Sequence, residues 1–172
     1  MKLIAAITAI ILAGMLSVSC FSGLPAGSEP SRNILFSIDY PGAGMGTRAM
    51  CAGAEVYVMT DRTIRIEMAD KGFEGIKVFE PMPLSAEDYE ALKVLGSPGK
   101  ISALRVRDGE GCDGTSRYIT LYDQNDEVLL RRGGYMPIGR KFRKTYRELQ
   151  SILGRYGVDE IITDWRGQLE SE

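Results

Sequence analysis

Apolar and polar positions alternate in several short runs, which is the pattern of strands that bury one face. Ile34, Phe36 and Ile38 give this alternation within residues 33–39. Two further runs, over residues 55–59 and 63–68, are separated by Thr60-Asp61-Arg62, a short polar connection that predicts a β-hairpin. This part of the chain therefore predicts antiparallel strands.

Three helical patterns follow the strands. In the first, Ser85 is a good N-cap, Glu87 and Asp88 place negative charge in the first turn, and the Gly/Pro-rich residues 96–99 end the helix. In all three, apolar residues recur at the three- and four-residue intervals of a buried helix face. They are Tyr89, Leu92 and Leu95 in the first pattern, Phe142, Tyr146, Leu149 and Leu153 in the second, and Val158, Ile161, Ile162 and Trp165 in the third.

A repeated sequence pattern indicates an internal duplication. The stretch Cys51-Ala52-Gly53-Ala54-Glu55-Val56-Tyr57 returns as Cys112-Asp113-Gly114-Thr115-Ser116-Arg117-Tyr118, with a period of roughly 60 residues. Each copy is followed by a hairpin-like pair of apolar runs, by an aromatic-x-Pro tripeptide and by a helical pattern. In the second copy, residues 101–107 are interpreted as a first strand, and residues 117–122 with 127–131 as the hairpin.

These patterns predict an α+β fold made of a tandem βββα-like repeat, in which two helices cover one face of an antiparallel sheet. Repeat one would span about residues 33–99, repeat two about 100–157, and a short C-terminal helix about 158–169. A chain of 172 residues has room for one well-buried core, so residues 33–172 are predicted to form a single domain.

Composition restricts the chemistry that the chain can support. The net charge of −2 and the 44% hydrophobic residues are those of an ordinary globular protein. The chain contains no histidine, which excludes Ser-His-Asp and Cys-His catalysis and histidine-based zinc sites. We therefore expect no metal site and no cofactor. Nucleic acid is not an expected partner, because the chain is acidic and carries no recognition motif.

The N-terminus begins with a short positive start and an apolar run. Lys2 precedes an apolar stretch over residues 3–16, about 14 residues, which is too short for a membrane span and typical of a signal-peptide h-region. Ser17-Val18-Ser19 and then Cys20 follow. This segment resembles bacterial lipoprotein precursors, whose members usually carry an aliphatic residue where this chain has Ser17. The resemblance covers residues 1–20 and implies that Cys20 is lipidated and begins the mature chain.

The same resemblance implies a location. Residues 1–19 would be a signal peptide, and residues 20–32 a lipid-anchored flexible tether rich in Gly, Pro and Ser. The protein would then be held on the bacterial cell envelope, periplasmic or surface-exposed, with the outer membrane as one possible site of the anchor. Secretion with cleavage near Ser19 and no lipid is the alternative. The stretch from Cys112 to Tyr118, together with the later Gly133-Gly134-Tyr135-x-Pro137, is also similar to segments of small uncharacterised bacterial envelope proteins, which implies no activity.

Export would place Cys51 and Cys112 in an oxidising compartment. We predict that they form a disulfide, because they occupy equivalent positions in the two copies of the repeated sequence pattern. A structural zinc site is a poor alternative, since two thiolates fall short of the four ligands that such a site needs.

Two groups of charged residues are candidate sites. The first is a set of carboxylates that could form the acid/base pair of a hydrolase, and its members are Asp39, Asp108, Glu110 and Asp113. Carboxylates at strand ends are also common turn formers. The second is a basic helix face that could bind anionic groups or simply be solvated, and its members are Arg140, Lys141, Arg143, Lys144 and Arg147.

Three functions remain open from the sequence. The leading hypothesis is a non-enzymatic, envelope-exposed module that binds a protein or a glycan, with inhibition of a hydrolase as one form of it. The second is a histidine-free hydrolase with paired carboxylates, and the third is a structural or assembly lipoprotein of the envelope. The first is favoured because the chain lacks a nucleophile motif and a metal cluster, although fold analogy carries the step to binding.

Overall fold

The computed structural model describes residues 33–42, 52–70, 74–110 and 114–171. Several predictions fall outside these residues and stay predictions. They concern the signal peptide over residues 1–19, the anchor Cys20, the tether over residues 20–32, the cysteines Cys51 and Cys112, and the carboxylate Asp113.

In the described part of the chain, seven strands form one antiparallel sheet: β1 Ile34–Tyr40, β2 Ala54–Met59, β3 Thr63–Ala69, β4 Ile76–Val78, β5 Met82–Pro83, β6 Ser116–Tyr122 and β7 Val128–Tyr135. The helices are α1 Ala86–Leu95, the short α2 Pro98–Ser102, α3 Arg140–Gly154 and α4 Val158–Glu170. The fold is therefore α+β, as predicted. None of these helices is long and apolar enough to cross a membrane.

The strand order is β4-β3-β2-β1-β6-β7, and β5 also pairs with β3. The first strand thus lies between β2 and β6, and both pair with it in the antiparallel sense. As a consequence β2 and β6 run in the same direction on either side of β1, about 9.5 Å apart at the usual strand spacing. The chain segments that enter these two strands lie at the same end of the sheet.

Strand alternation gives the sheet two different faces. Phe36, Ile38, Val56, Ile64 and Ile119 point to one face and are almost fully buried in the main core. The same core contains the buried stripes of the helices, including Leu92, Leu149, Leu153, Val158 and Ile162. The predicted helix stripes and the covered face are confirmed, and the other face carries no helix from the described part of the chain.

The first helix begins as its sequence predicts. The Ser85 hydroxyl accepts a hydrogen bond from the Asp88 N–H at 3.1 Å, which satisfies one of the donors that a helix start leaves open. The helix ends at Gly96, where an added Cβ would lie 2.4 Å from Phe36 Cδ1. Glycine therefore allows the end of α1 to contact the central strand directly.

The prediction of a strand over residues 101–107 is wrong. Pro98 favours the first turn of a helix, and α2 occupies Pro98–Ser102 with Ile101 buried beneath it. Only Arg107 forms a β-bridge, with Ile138. The second half of the chain thus contributes two strands instead of three, and a tandem βββα repeat is not confirmed.

Candidate functional site

A row of carboxylates crosses the helix-free face of the sheet. Asp39 of β1 pairs in register with Glu55 of β2, and Glu55 pairs with Glu67 of β3. Residues directly opposite each other on antiparallel strands have Cβ atoms about 4.5–5.5 Å apart and project from the same face. The three carboxylates are therefore neighbours on three adjacent strands.

The next row along the sheet has arginines at both of its ends. Arg65 pairs with Tyr57, Tyr57 with Ser37, Ser37 with Thr120, and Thr120 with Arg131, so the row spans five strands. Both arginines turn toward the carboxylates and lie over aromatic rings. Arg65 forms an ion pair with Glu67 at 3.1 Å and lies 4.6 Å from the centre of the Tyr57 ring.

Glu55 is the central acceptor of this surface. Its Oε1 atom accepts hydrogen bonds from the Ser37 hydroxyl at 2.7 Å and from the Tyr122 hydroxyl at 3.1 Å, and these two hydroxyls are 3.0 Å apart. Ser37 is fully buried, although it lies on the face without helices. Burial, together with the charge of Glu55, raises the pKa of Tyr122 to about 12 and also raises that of Tyr57. Both phenols therefore stay protonated and can donate.

Asp39 has opposing influences on its charge. Burial raises the pKa of its carboxyl, and the nearby charge of Glu55 raises it further, whereas Arg131 acts in the opposite direction. The Arg131 guanidinium forms an ion pair with Asp39 Oδ2 at 3.0 Å and lies 3.8 Å from the centre of the Tyr118 ring. The site thus holds a carboxyl that is more basic than usual beside a positioned cation.

An open cavity of about 500 Å³ adjoins the carboxylate row, within the range of small-molecule sites. Its charged lining consists of Asp39, Glu55, Glu67 and Arg131, and Ile76 contributes an exposed apolar side chain. Gly53 and Gly114, each two residues beyond one of the predicted disulfide cysteines, line the same cavity. The arrangement can accept hydrogen bonds from a polar ligand and offers one guanidinium as a donor.

We compared the chain with protein-family models, curated proteins and solved structures, and nothing matches. Within the described ranges, no group of three or more acidic or thiol side chains is placed to hold a metal ion.

The three predicted carboxylates that the structure describes do not come together as one site. Asp39 lies in the carboxylate row, whereas Asp108 accepts a hydrogen bond from the Tyr135 N–H at 2.9 Å and so fixes the end of β7. Glu110 is exposed and does not line the cavity. Glu55 and Glu67, which do neighbour Asp39, were missed. Their signal was the alternation within the predicted hairpin, which places both on its polar face.

The five basic residues of α3 are exposed, so the predicted orientation of the helix is confirmed. These residues are Arg140, Lys141, Arg143, Lys144 and Arg147. Glu148 lies 3.8 Å from the Lys144 ammonium, an i,i+4 pair that contributes little to stability at an exposed position. Binding of an anion by this face stays a prediction.

Proposed function

We propose that the protein is a non-enzymatic binding module of the bacterial cell envelope, attached to a membrane through lipidated Cys20. It binds a protein or glycan ligand through the helix-free face of its sheet. The observation that carries this proposal is the open cavity of about 500 Å³ beside an ordered polar surface that no described helix covers.

Preorganisation supports binding by this face. The exposed fraction is 8% for Tyr57 and 7% for Tyr122, values low for large side chains on the uncovered side of a single sheet. Their rings lie 6.1 Å apart, and the hydroxyl of Tyr122 is held by Glu55. Side chains that are already ordered lose little conformational entropy when a ligand arrives, which favours affinity.

The partners of the carboxylates favour binding over catalysis. Glu55 already accepts two hydroxyl hydrogen bonds, and Asp39 is paired with Arg131. Both carboxylates are therefore already held by partners within the protein, as in an ordered ligand-binding surface. The exposed edge of Arg131 and the second carboxylate oxygen of Glu67, whose Oε1 atom is paired with Arg65, are then the polar groups that meet the ligand.

A matched pair of variants on one strand tests the proposal. The full-length chain, held in mild detergent, is used to retain partners from solubilised envelopes. Arg131→Gln removes a cation from the cavity. Arg132→Gln removes the same charge from the next residue of β7, which pairs with the buried Ile119 and so belongs to the opposite face of the sheet. We expect a partner that is retained by the wild-type chain and by Arg132→Gln but lost with Arg131→Gln. Retention that is equal in both variants, or absent from the wild type, would refute binding by this face.

The anchor has its own measurement. Intact mass of the protein purified from membranes should show a mature chain that begins at Cys20 and carries acyl groups. A chain that begins elsewhere, or one without added acyl mass, would remove the anchor from the proposal while leaving the binding face untouched.

The second candidate is a hydrolase that uses Asp39 and Glu55. It is favoured by their register pairing and by the raised pKa of Asp39, since retaining glycosidases place two carboxyl groups about 5–5.5 Å apart. A panel of envelope polysaccharides decides between the two functions. Turnover by the wild type that Asp39→Asn and Glu55→Gln each abolish would establish the hydrolase and displace the binding proposal.

A further inference from the structure

A second cavity lies on the other side of the sheet, where β6 meets α3. It has a volume of about 220 Å³ and is lined by Arg117, Arg143, Arg147, Gln150, Pro137, Phe142 and Tyr146. Three of these residues are arginines, and none of the described lining residues is acidic. The sequence analysis grouped Arg143 and Arg147 with the basic helix face but did not include Arg117, which comes from a strand.

The local geometry explains why the three arginines share one cavity. Arg143, Arg147 and Gln150 follow one another at i, i+4 and i+7 and so lie on one side of α3. Arg117 has the same parity in β6 as the buried Ile119 and Leu121, so it projects toward the helix layer at the end of the strand. Strand and helix therefore bring their cations together from two directions.

The back of this cavity is rigid. Phe142 is 1% exposed and stacks on Tyr146 with ring centres 5.7 Å apart. The Tyr146 hydroxyl donates to the backbone carbonyl oxygen of Asp39, which fixes the ring between helix and sheet. Arg117 and Tyr146 line the same cavity. Burial raises the pKa of Tyr146, and the charge of Arg117 acts against this rise.

The cations of this cavity lack anionic partners in the described part of the chain. No ion pair there includes Arg117, Arg143 or Arg147, and Arg117 is half-buried. A partly desolvated guanidinium beside two others of like charge is unfavourable without a counter-ion. A bound anion would offset this cost, and planar guanidinium groups match the oxygens of phosphate in bidentate pairs.

We propose that Arg117, Arg143 and Arg147 form a binding site for a phosphomonoester group, with the Gln150 amide as a further donor. Three guanidinium charges match a phosphomonoester, which carries about −1.5 to −2 at neutral pH, better than they match a single carboxylate. Inorganic phosphate and the headgroup of phosphatidic acid, which is itself a phosphomonoester, share this charge and geometry. The site lies on a different surface from the cavity beside Asp39 and does not depend on the proposed function of the helix-free face.

Calorimetric titration of the full-length chain in a neutral detergent tests the site, with inorganic phosphate as the probe and acetate as the comparison. We expect saturable phosphate binding that weakens with added salt, and a much weaker response to acetate. Arg117→Gln, Arg143→Gln and Arg147→Gln should each weaken phosphate binding about tenfold to a hundredfold, the range for a lost charge-assisted hydrogen bond. Arg117→Lys should also weaken it, because an ammonium cannot form the bidentate pair.

Lys141→Gln is the matched control, since Lys141 is exposed on the same helix and does not line this cavity. It removes one positive charge and should leave phosphate affinity within about twofold. Thermal unfolding of each variant shows that it is folded. Absence of phosphate binding by the wild-type chain, or equal losses in Lys141→Gln and Arg117→Gln, would overturn the proposal.

The same titration distinguishes the two sources of phosphate. A short-chain phosphatidic acid is added in place of inorganic phosphate, with short-chain phosphatidylcholine as its control. Tighter binding of the phosphatidic acid that Arg117→Gln weakens would assign the site to a lipid headgroup. Tighter binding of inorganic phosphate would assign it to a small soluble phosphate.

Discussion

Replacing Glu55 should show how much one carboxylate on the helix-free face contributes to the stability of the fold. In Glu55→Ala the hydroxyls of Ser37 and Tyr122 lose a charged acceptor at 2.7 and 3.1 Å. Hydrogen bonds to charged groups contribute about 1.5–3 kcal/mol each, and two such losses set an upper range of about 3–6 kcal/mol. Two effects reduce this value.

First, Ser37 and Tyr122 are 3.0 Å apart and can still bond to each other. Second, removal of Glu55 relieves its repulsion with Asp39, which is one cause of the raised pKa of Asp39. We therefore expect Glu55→Ala to lower the free energy of unfolding by about 2–4 kcal/mol. Glu55→Gln keeps an acceptor oxygen and the side-chain volume, so it should cost less than Glu55→Ala, about 1–2 kcal/mol.

Glu67→Ala serves as the control in the same row. Its side chain is 21% exposed and its described partner is Arg65, in an ion pair partly open to solvent. Such pairs contribute about 0–1 kcal/mol, so this variant should be close to wild type. Denaturant unfolding followed by circular dichroism measures all three variants. A Glu55→Ala variant no less stable than Glu67→Ala would show that the hydroxyl network does not hold the strands together.

Three further predictions have direct measurements. A disulfide between Cys51 and Cys112 should stabilise the fold by about 4 kcal/mol, because it closes a loop of about 60 residues, and thiol titration of the unfolded, non-reduced chain should find neither cysteine reactive. Because the pKa of Asp39 is raised in the folded state, its protonated form stabilises the fold fully below the unfolded pKa of 3.8, and this contribution is lost as pH rises through the folded pKa. Measured against pH, the free energy of unfolding of Asp39→Asn should therefore change less over this range than that of the wild type. Three exposed residues of α3 can be changed together to Glu: Arg143, Lys144 and Arg147. Because none of them lies on the buried stripe of the helix, this triple variant should change the free energy of unfolding by no more than about 1 kcal/mol.

Local patterns predicted much of the fold. The alternation of Ile34, Phe36 and Ile38, the hairpin around Asp61 and the cap at Ser85 each depend on neighbours within a few residues, and each is present. The segment over residues 101–107 was predicted wrongly because a short apolar run fits a strand or a helix equally well by periodicity. There Pro98, at the first turn of α2, was the better indicator.

The strand order could not be predicted in the same way. Asp39 and Glu55 are separated by a gap in the described chain, and their pairing depends on β1 lying beside β2. Periodicity assigns a residue to a face but does not assign neighbours to its strand. The hairpin alone could have placed Glu55 opposite Glu67, and only the order of the strands adds Asp39 to them.

Arg117, on the helix-covered face of the sheet, illustrates the same limit of prediction from sequence periodicity. Its parity with Ile119 and Leu121 already assigns it to the core side of β6, where an arginine needs either solvent or a partner. The sequence does not tell which helix covers that end of the strand. Once α3 packs there, Arg143 and Arg147 are its neighbours, and the three like charges repel one another. Tertiary packing thus assembles a cluster of positive charges that neither the strand nor the helix carries alone, and a bound anion would offset the repulsion within it.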